Sequence, residues 1–194
     1  DPASWSSKSS RACDAFDLKG ILAGLVPGHT LQFAPLTLDG YPLAAQVQID
    51  GKPLGVFAQL SPSRARDLDF DFPVYLAEID LKKLAGLRGA GSKVSELPQF
   101  PGSSRDAAME APTTLANADI EKAIKKHSES LLVSHTCFDV FTDPSGEKLP
   151  ADRKSIAYSF FYRTHERTLK SGEVDAAHAK LLAHLAKALP VTFR

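Results

Sequence analysis

Apolar and polar residues alternate most strictly over 133–142 and 154–163. These stretches read as strands joined by the turn-forming Asp143-Pro144-Ser145-Gly146 and a further polar run. Side chains alternate across a strand, so Ile156, Tyr158, Phe160 and Tyr162 share one face of the second stretch. Ser155, Ala157, Ser159, Phe161 and Arg163 share the other. The first face is large and apolar and predicts helices packed on it. The second is small and polar, with one aromatic and one arginine, and predicts a surface open to water.

The flanking segments extend the pattern. Residues 105–111 read as a strand that Pro112 ends. Asn117 or Asp119 is the expected cap of a helix whose apolar positions Ile120, Ile124, Leu131 and Leu132 keep roughly helical spacing. Beyond the two central strands, Ser171 is the expected cap of a second helix, with Gly172 and Glu173 in its first turn. Its stripe is Val174, Ala177, Leu181, Leu182, Leu185 and Leu189, Pro190 stops it, and residues 191–193 supply a last edge strand. The order β-α-β-β-α-β is that of the ferredoxin-like split unit, a four-stranded antiparallel sheet with both helices on one face.

The first half is patterned differently. Phe16, Leu18, Ile21, Leu22 and Leu25 suit one face of a short helix over 14–26, capped by Asp14 and ended by Pro27-Gly28. A strand follows over 31–38, then a hairpin over 44–60. Val47 and Ile49 lie on one arm of the hairpin, and Leu54, Val56 and Ala58 on the other. Asp50-Gly51 sits between them, tolerating the positive φ angles of a tight turn. Ser61-Pro62 opens a helical turn to Leu68, a strand alternates over 74–81, and a brief helix runs over 81–87. So antiparallel a sheet with so few helices predicts a missing neighbour. Residues 88–104 are rich in breakers and place a domain boundary, giving domains 1–92 and 93–194 of α+β class. The serine-rich opening carries Trp5, an aromatic that needs a surface, and lacks an initiator methionine or signal-peptide pattern. That start reads as an excised piece of something longer.

Charge narrows the candidate chemistry. The 23 basic residues are balanced by 23 acidic ones, so nucleic acid would have to be held by a local patch rather than by bulk attraction. Arg153, Lys154, Arg163, Arg167 and Lys170 cluster along the 154–163 strand and its flanking loops, only partly offset by Asp152 and Glu166, and Arg105 sits near the sheet edge. Phe161 can stack a splayed base, and the small Ser155, Ala157 and Ser159 allow RNA to approach closely. Arg105, Arg153, Lys154, Ser155, Ala157, Ser159, Phe161, Arg163 and Arg167 therefore form the candidate RNA-binding set. Two plainer readings stand beside it: the basic residues as simple exposed charges, with Phe161 buried against the first domain, or the same face docking a protein without RNA.

No catalytic constellation stands out. His127, His178 and His184 read as solvated or capping groups on helices, and His29 and His135 sit at strand starts. A nucleophile elbow and a glycine-rich phosphate loop are both missing. Asp67, Asp69 and Asp71 read as a solvated strand entry rather than a calcium loop. Cys13 and Cys137 show no metal-ligand spacing and suit reduced thiols in a cytoplasmic protein. No apolar run approaches membrane-spanning length.

Several words of the second half resemble one family. They are Phe-Pro-Gly-Ser-Ser-Arg-Asp (100–106), Phe-Asp-Val-Phe (138–141), Lys-Ser-Ile-Ala-Tyr (154–158), the Phe-Tyr-Arg ending at 163, Arg-Thr-Leu (167–169), Glu-Val-Asp (173–175) and Arg194. In this order and spacing they resemble the ferredoxin-fold anticodon-binding domain that closes the bacterial phenylalanyl-tRNA synthetase β chain. The first half resembles the preceding degenerate class II synthetase-like module through Asp14-Ala15-Phe16-Asp17-Leu18-Lys19-Gly20, Gly51-Lys52-Pro53-Leu54-Gly55 and residues 75–81. It departs at Tyr41-Pro42-Leu43-Ala44-Ala45-Gln46, where the family usually has His-Pro-Gly-Arg-Ser-Ala, and at Ala58-Gln59-Leu60-Ser61-Pro62, where it usually has Gly-Glu-Leu-His-Pro. The resemblance implies an (αβ)₂ heterotetramer that esterifies phenylalanine to its tRNA with ATP and Mg²⁺, the active site lying in the α chain. This piece would be non-catalytic, binding the anticodon region of the tRNA and neither DNA nor membrane.

Overall fold

The computed structural model describes residues 12–87 and 97–193. The expectations for Trp5, for the 92/93 boundary and for Arg194 lie outside the described residues. The chain divides into two compact units, Asp1–Val94 and Ser95–Arg194.

In the first unit, helix α1 (Ala15–Gly24) begins at Asp14. The Asp14 carboxylate accepts the Phe16 and Asp17 N–H groups, and the Asp17 carboxylate accepts the Asp14 N–H at 2.8 Å, a reciprocal cap. Strands β1 (Leu31–Pro35), β2 (Leu43–Ile49), β3 (Lys52–Gln59) and β4 (Tyr75–Ile79) pair antiparallel in that order. The hairpin turn falls at Asp50 (φ 50°) and Gly51 (φ 73°), both left-handed, as the twist of the flanking strands requires. Helices α2 (Pro62–Asp67) and α3 (Leu81–Ala85) are single turns capped by Ser61 and Asp80. The core gathers Leu22, Val26, Val47, Ile49, Leu54 and Phe57. Of the five apolar positions expected to face inward on α1, only Leu22 is buried. Phe16, Ile21 and Leu25 are exposed, because one short helix offers a single narrow stripe to this sheet.

The second unit runs β5 (Ser103–Pro112), α4 (Asn117–His127), β6 (Leu132–Thr142), β7 (Arg153–Tyr162), α5 (Ser171–Ala188) and β8 (Thr192–Phe193). The sheet order β6-β7-β5-β8, with every pairing antiparallel, is the ferredoxin-like arrangement. Ile156, Tyr158, Phe160 and Tyr162 are at most 2% exposed. They pack with Met109, Ile120, Ile124, Val174, Ala177, Leu181 and Leu185 into one core under the helices.

Both helix starts differ from the sequence expectation. The cap positions are Ala116 and Lys170, one residue before Asn117 and Ser171. The Asn117 amide oxygen instead accepts the Tyr158 hydroxyl at 2.6 Å. The Ser171 hydroxyl turns to Asp175 and Arg105, and the Glu173 carboxylate takes the Lys170 N–H at 2.9 Å. Helix α4 also stops earlier than its apolar spacing suggests. Ser128 adopts φ 54°, and Leu131 and Leu132 leave the helix, Leu132 opening β6.

Candidate nucleic-acid interface

Residues directly opposite one another in an antiparallel pair project to the same side, so the register assigns each side chain a face. Arg153, Ser155, Ala157, Ser159 and Phe161 of β7 face away from the helices, and all are partly solvent-exposed. From β5 they are joined by Ser104, Asp106, Ala108, Glu110 and Pro112, opposite Phe161, Ser159, Ala157, Ser155 and Arg153. From β6 they are joined by Ser134, Thr136, Asp139 and Phe141. Phe141 is 42% exposed beside Ser155. The result is a shallow platform with an aromatic ring toward each end and small polar residues between them, while α4 and α5 pack on the opposite face.

Arg163 follows β7 and lies 5.7 Å from the Phe161 ring centre, cation over aromatic face. Its backbone N–H is fixed by the Leu131 carbonyl at 2.9 Å. Its Nε is enclosed and finds no acceptor. Arg153 reaches the Glu110 carbonyl at 3.3 Å, near the limit of a hydrogen bond.

Three of the nine expected residues are placed elsewhere. Lys154 shares the parity of Ile156, and its ammonium donates to the carbonyls of Leu115 (2.6 Å) and Thr113 (3.1 Å), tying down the loop that enters α4. Arg105 pairs across the sheet with Phe160, on the helix side. Its guanidinium donates to Asp175 at 2.8 Å and to Ser171 at 2.9 Å on α5, and to Ser103 and the Ser104 carbonyl on its own strand. Arg167 grips Glu173 through two bonds of 2.8 and 2.6 Å, a bidentate pair at the first turn of the same helix. Arg105, Lys154 and Arg167 thus build the scaffold, and the open face keeps Arg153 and Arg163.

The ionisation of the neighbours follows. Hydrogen bonds from Arg167 hold the Glu173 carboxyl down to about 2, and those from Arg105 lower Asp175. Burial, and then the charge of Arg105, lowers His178, whose Nδ1 shares a 2.9 Å hydrogen bond with the Tyr162 hydroxyl. Burial pushes Tyr162 up to about 12. Under α4, Glu121 meets His135 Nε2 at 2.6 Å and the Tyr158 hydroxyl at 3.1 Å. The histidines expected to be solvated or capping instead make tertiary contacts: His178 pairs with Tyr162, and His127 and His184 lie with ring centres 4.9 Å apart, tilted by 35°.

The sequence reading missed Asp106, Glu110, Asp139 and Phe141. Their signal was present in the alternation of 105–111 and in the word Phe-Asp-Val-Phe, but assigning it needs the register, and β6 carries two register shifts. The consequence is electrostatic. Three carboxylates lie between the two arginines, so the centre of the platform repels phosphate and its ends attract it.

A four-stranded antiparallel sheet with helices behind and aromatic rings in front defines the class, and the chain belongs to the family of ferredoxin-fold anticodon-binding domains, whose model matches residues 98–194. A second model, the phenylalanyl tRNA synthetase beta chain CLM domain, matches residues 1–81. Relatives named phenylalanine–tRNA ligase β subunit match across both units. That of Synechococcus sp. (strain JA-3-3Ab) is 36% identical over 100% of this chain and 24% of its own length. That of Hahella chejuensis is 33% identical over 100% and 24%, and that of Latilactobacillus sakei 32% over 94% and 23%. The chain spans about a quarter of the length of these relatives.

Proposed function

We propose that this chain is the tRNA-recognition and subunit-assembly part of a phenylalanine–tRNA ligase β subunit, working with an α chain in an (αβ)₂ enzyme. The observation that carries the reading is the open face of the second sheet. Phe161 and Phe141 offer π-faces to unpaired bases, Ser155, Ala157 and Ser159 leave room for close approach, and Arg153 and Arg163 stand at the two ends for the sugar–phosphate chain. Direct contact with phosphates fixes position, and contact with bases reads sequence.

The catalytic step belongs, on this reading, to the remainder of the enzyme. Among the described residues no three His, Cys, Asp or Glu side chains converge on a point that could hold a metal ion. Also among the described residues, no helix is long and apolar enough to cross a membrane. A cytoplasmic setting accords with a partner that is tRNA.

Fluorescence anisotropy with a labelled tRNA transcript at about 50 mM salt tests the proposal. Saturable binding that weakens with salt, and weakens further in Arg163→Glu, is the expected result. No binding by a folded chain, or binding indifferent to Arg163→Glu, sinks it and favours a protein-docking face.

A further inference from the structure

Phe161 is not a loose ring on a flat sheet. A Cβ built on Gly102 would lie 2.6 Å from Phe161 Cε2 and 2.8 Å from Cε1, with Cζ nearer still. Real Cβ atoms do not approach a ring that closely, so the rim of the ring rests on the bare backbone of Gly102. Gly102 does not have the positive φ that would itself demand glycine, so its need is for space alone. Over the ring stands Arg163, and among the basic residues of the candidate set its guanidinium differs in kind. Those of Arg105 and Arg167 are spent on carboxylates and the Lys154 ammonium on carbonyls, whereas Arg163 Nε has no protein acceptor and the group is held against an aromatic face.

We propose that Gly102, Phe161 and Arg163 form one preassembled stacking unit for an unpaired base of single-stranded RNA. Gly102 is its positioning residue: it touches no RNA and acts through the ring. This rests on the reading of the open face as an RNA surface. A platform already seated costs no side-chain ordering when the base arrives, and for that reason a methyl group that displaces the ring weakens binding.

The test is a double-mutant cycle on the full chain, read by anisotropy with a labelled unstructured RNA oligonucleotide and with a tRNA transcript, and by thermal midpoint. Phe161→Leu removes Cε1, Cε2 and Cζ, the atoms that a methyl at residue 102 would strike. Gly102→Ala alone lowers affinity about fivefold or more, within the roughly five- to 150-fold that a stacked base is worth. Gly102→Ala added to Phe161→Leu costs nothing further in affinity or midpoint. An equal loss in both backgrounds, or no loss in the parent, overturns the assignment. Should Gly102→Ala alone fail to fold, a folded Gly102→Ala/Phe161→Leu chain supports it and an unfolded one overturns it. A parent chain that binds neither RNA refutes the RNA surface and the stacking role together. A parent that binds, with additive variants, refutes the stacking role alone.

Discussion

Salt dependence gives the sharpest measure of how RNA would sit on this sheet. Each phosphate neutralised on a single strand contributes about −0.7 to the slope of log affinity against log salt. If every basic residue expected from the sequence touched phosphate, Arg105, Arg153, Lys154, Arg163 and Arg167 would together give a slope near −3.5 by that rule. Of these five, the structure leaves Arg153 and Arg163 on the open face, with Asp106, Glu110 and Asp139 between them. The expected slope is then about −1.4, a roughly sevenfold loss of affinity between 50 and 200 mM salt. The two arginines are ten positions apart, about 33 Å along the strand, so they meet different phosphates and their effects add. Removing Arg163 by substitution with alanine should halve the slope to about −0.7, leaving a loss of roughly threefold over the same salt range. Anisotropy titrations at four or five salt concentrations measure this directly. A slope steeper than about −3, or one unmoved when both arginines become alanine, would show that phosphates are held elsewhere and that the face has been misread.

The remaining predictions concern the scaffold. Lys154→Ala should cost about 1 kcal/mol in urea denaturation, since two carbonyls lose a charged donor, while the salt slope of RNA binding stays as it was. Tyr158→Phe should cost about 1–2 kcal/mol by the same assay, because a buried hydroxyl and its bonds to Asn117 and Glu121 are lost. Glu173 is held at about 2 in the folded chain against an ordinary 4.5. Its contribution is therefore complete above about pH 4.5 and disappears as pH falls toward 2. Glu173→Gln should accordingly lower the thermal midpoint at pH 7 and match the parent at pH 2. A midpoint difference that stays constant across that range would show that the Arg167 pair is not its source.

How far these features could be read from the chain depends on whether the cue was local. The faces of β7 were legible because Ile156, Tyr158, Phe160 and Tyr162 differ so sharply from their alternates. The hairpin at Asp50-Gly51 was legible because its turn chemistry is short-range. The caps at Ala116 and Lys170 were not, because Asn117 and Ser171 have the right side chains one position late and spend them on tertiary partners. The end of α4 was hidden because Ser128 takes a left-handed conformation without the glycine that usually announces it. The protein partners of Lys154 and Arg105 were not legible from charge, although parity places these residues with Ile156 and with Met109, on the helix side. Arg105, Arg167, Glu173 and Asp175 all belong to the words that resemble the family, and the structure joins them in two ion pairs at the start of α5. Those words mark the scaffold at the start of α5 more than the open face of the sheet.

Strand β6 lies at the border of its sheet and carries Val133, Phe138 and Val140 exposed. Such a border invites a neighbouring molecule to add its own strand, and repetition of that step makes fibres. Two interruptions of register, at Leu132/Ser134 and Cys137/Asp139, insert an extra residue each time and break the regular spacing of donors and acceptors. The unevenness this gives the rim works against the regular pairing that a docking strand would need.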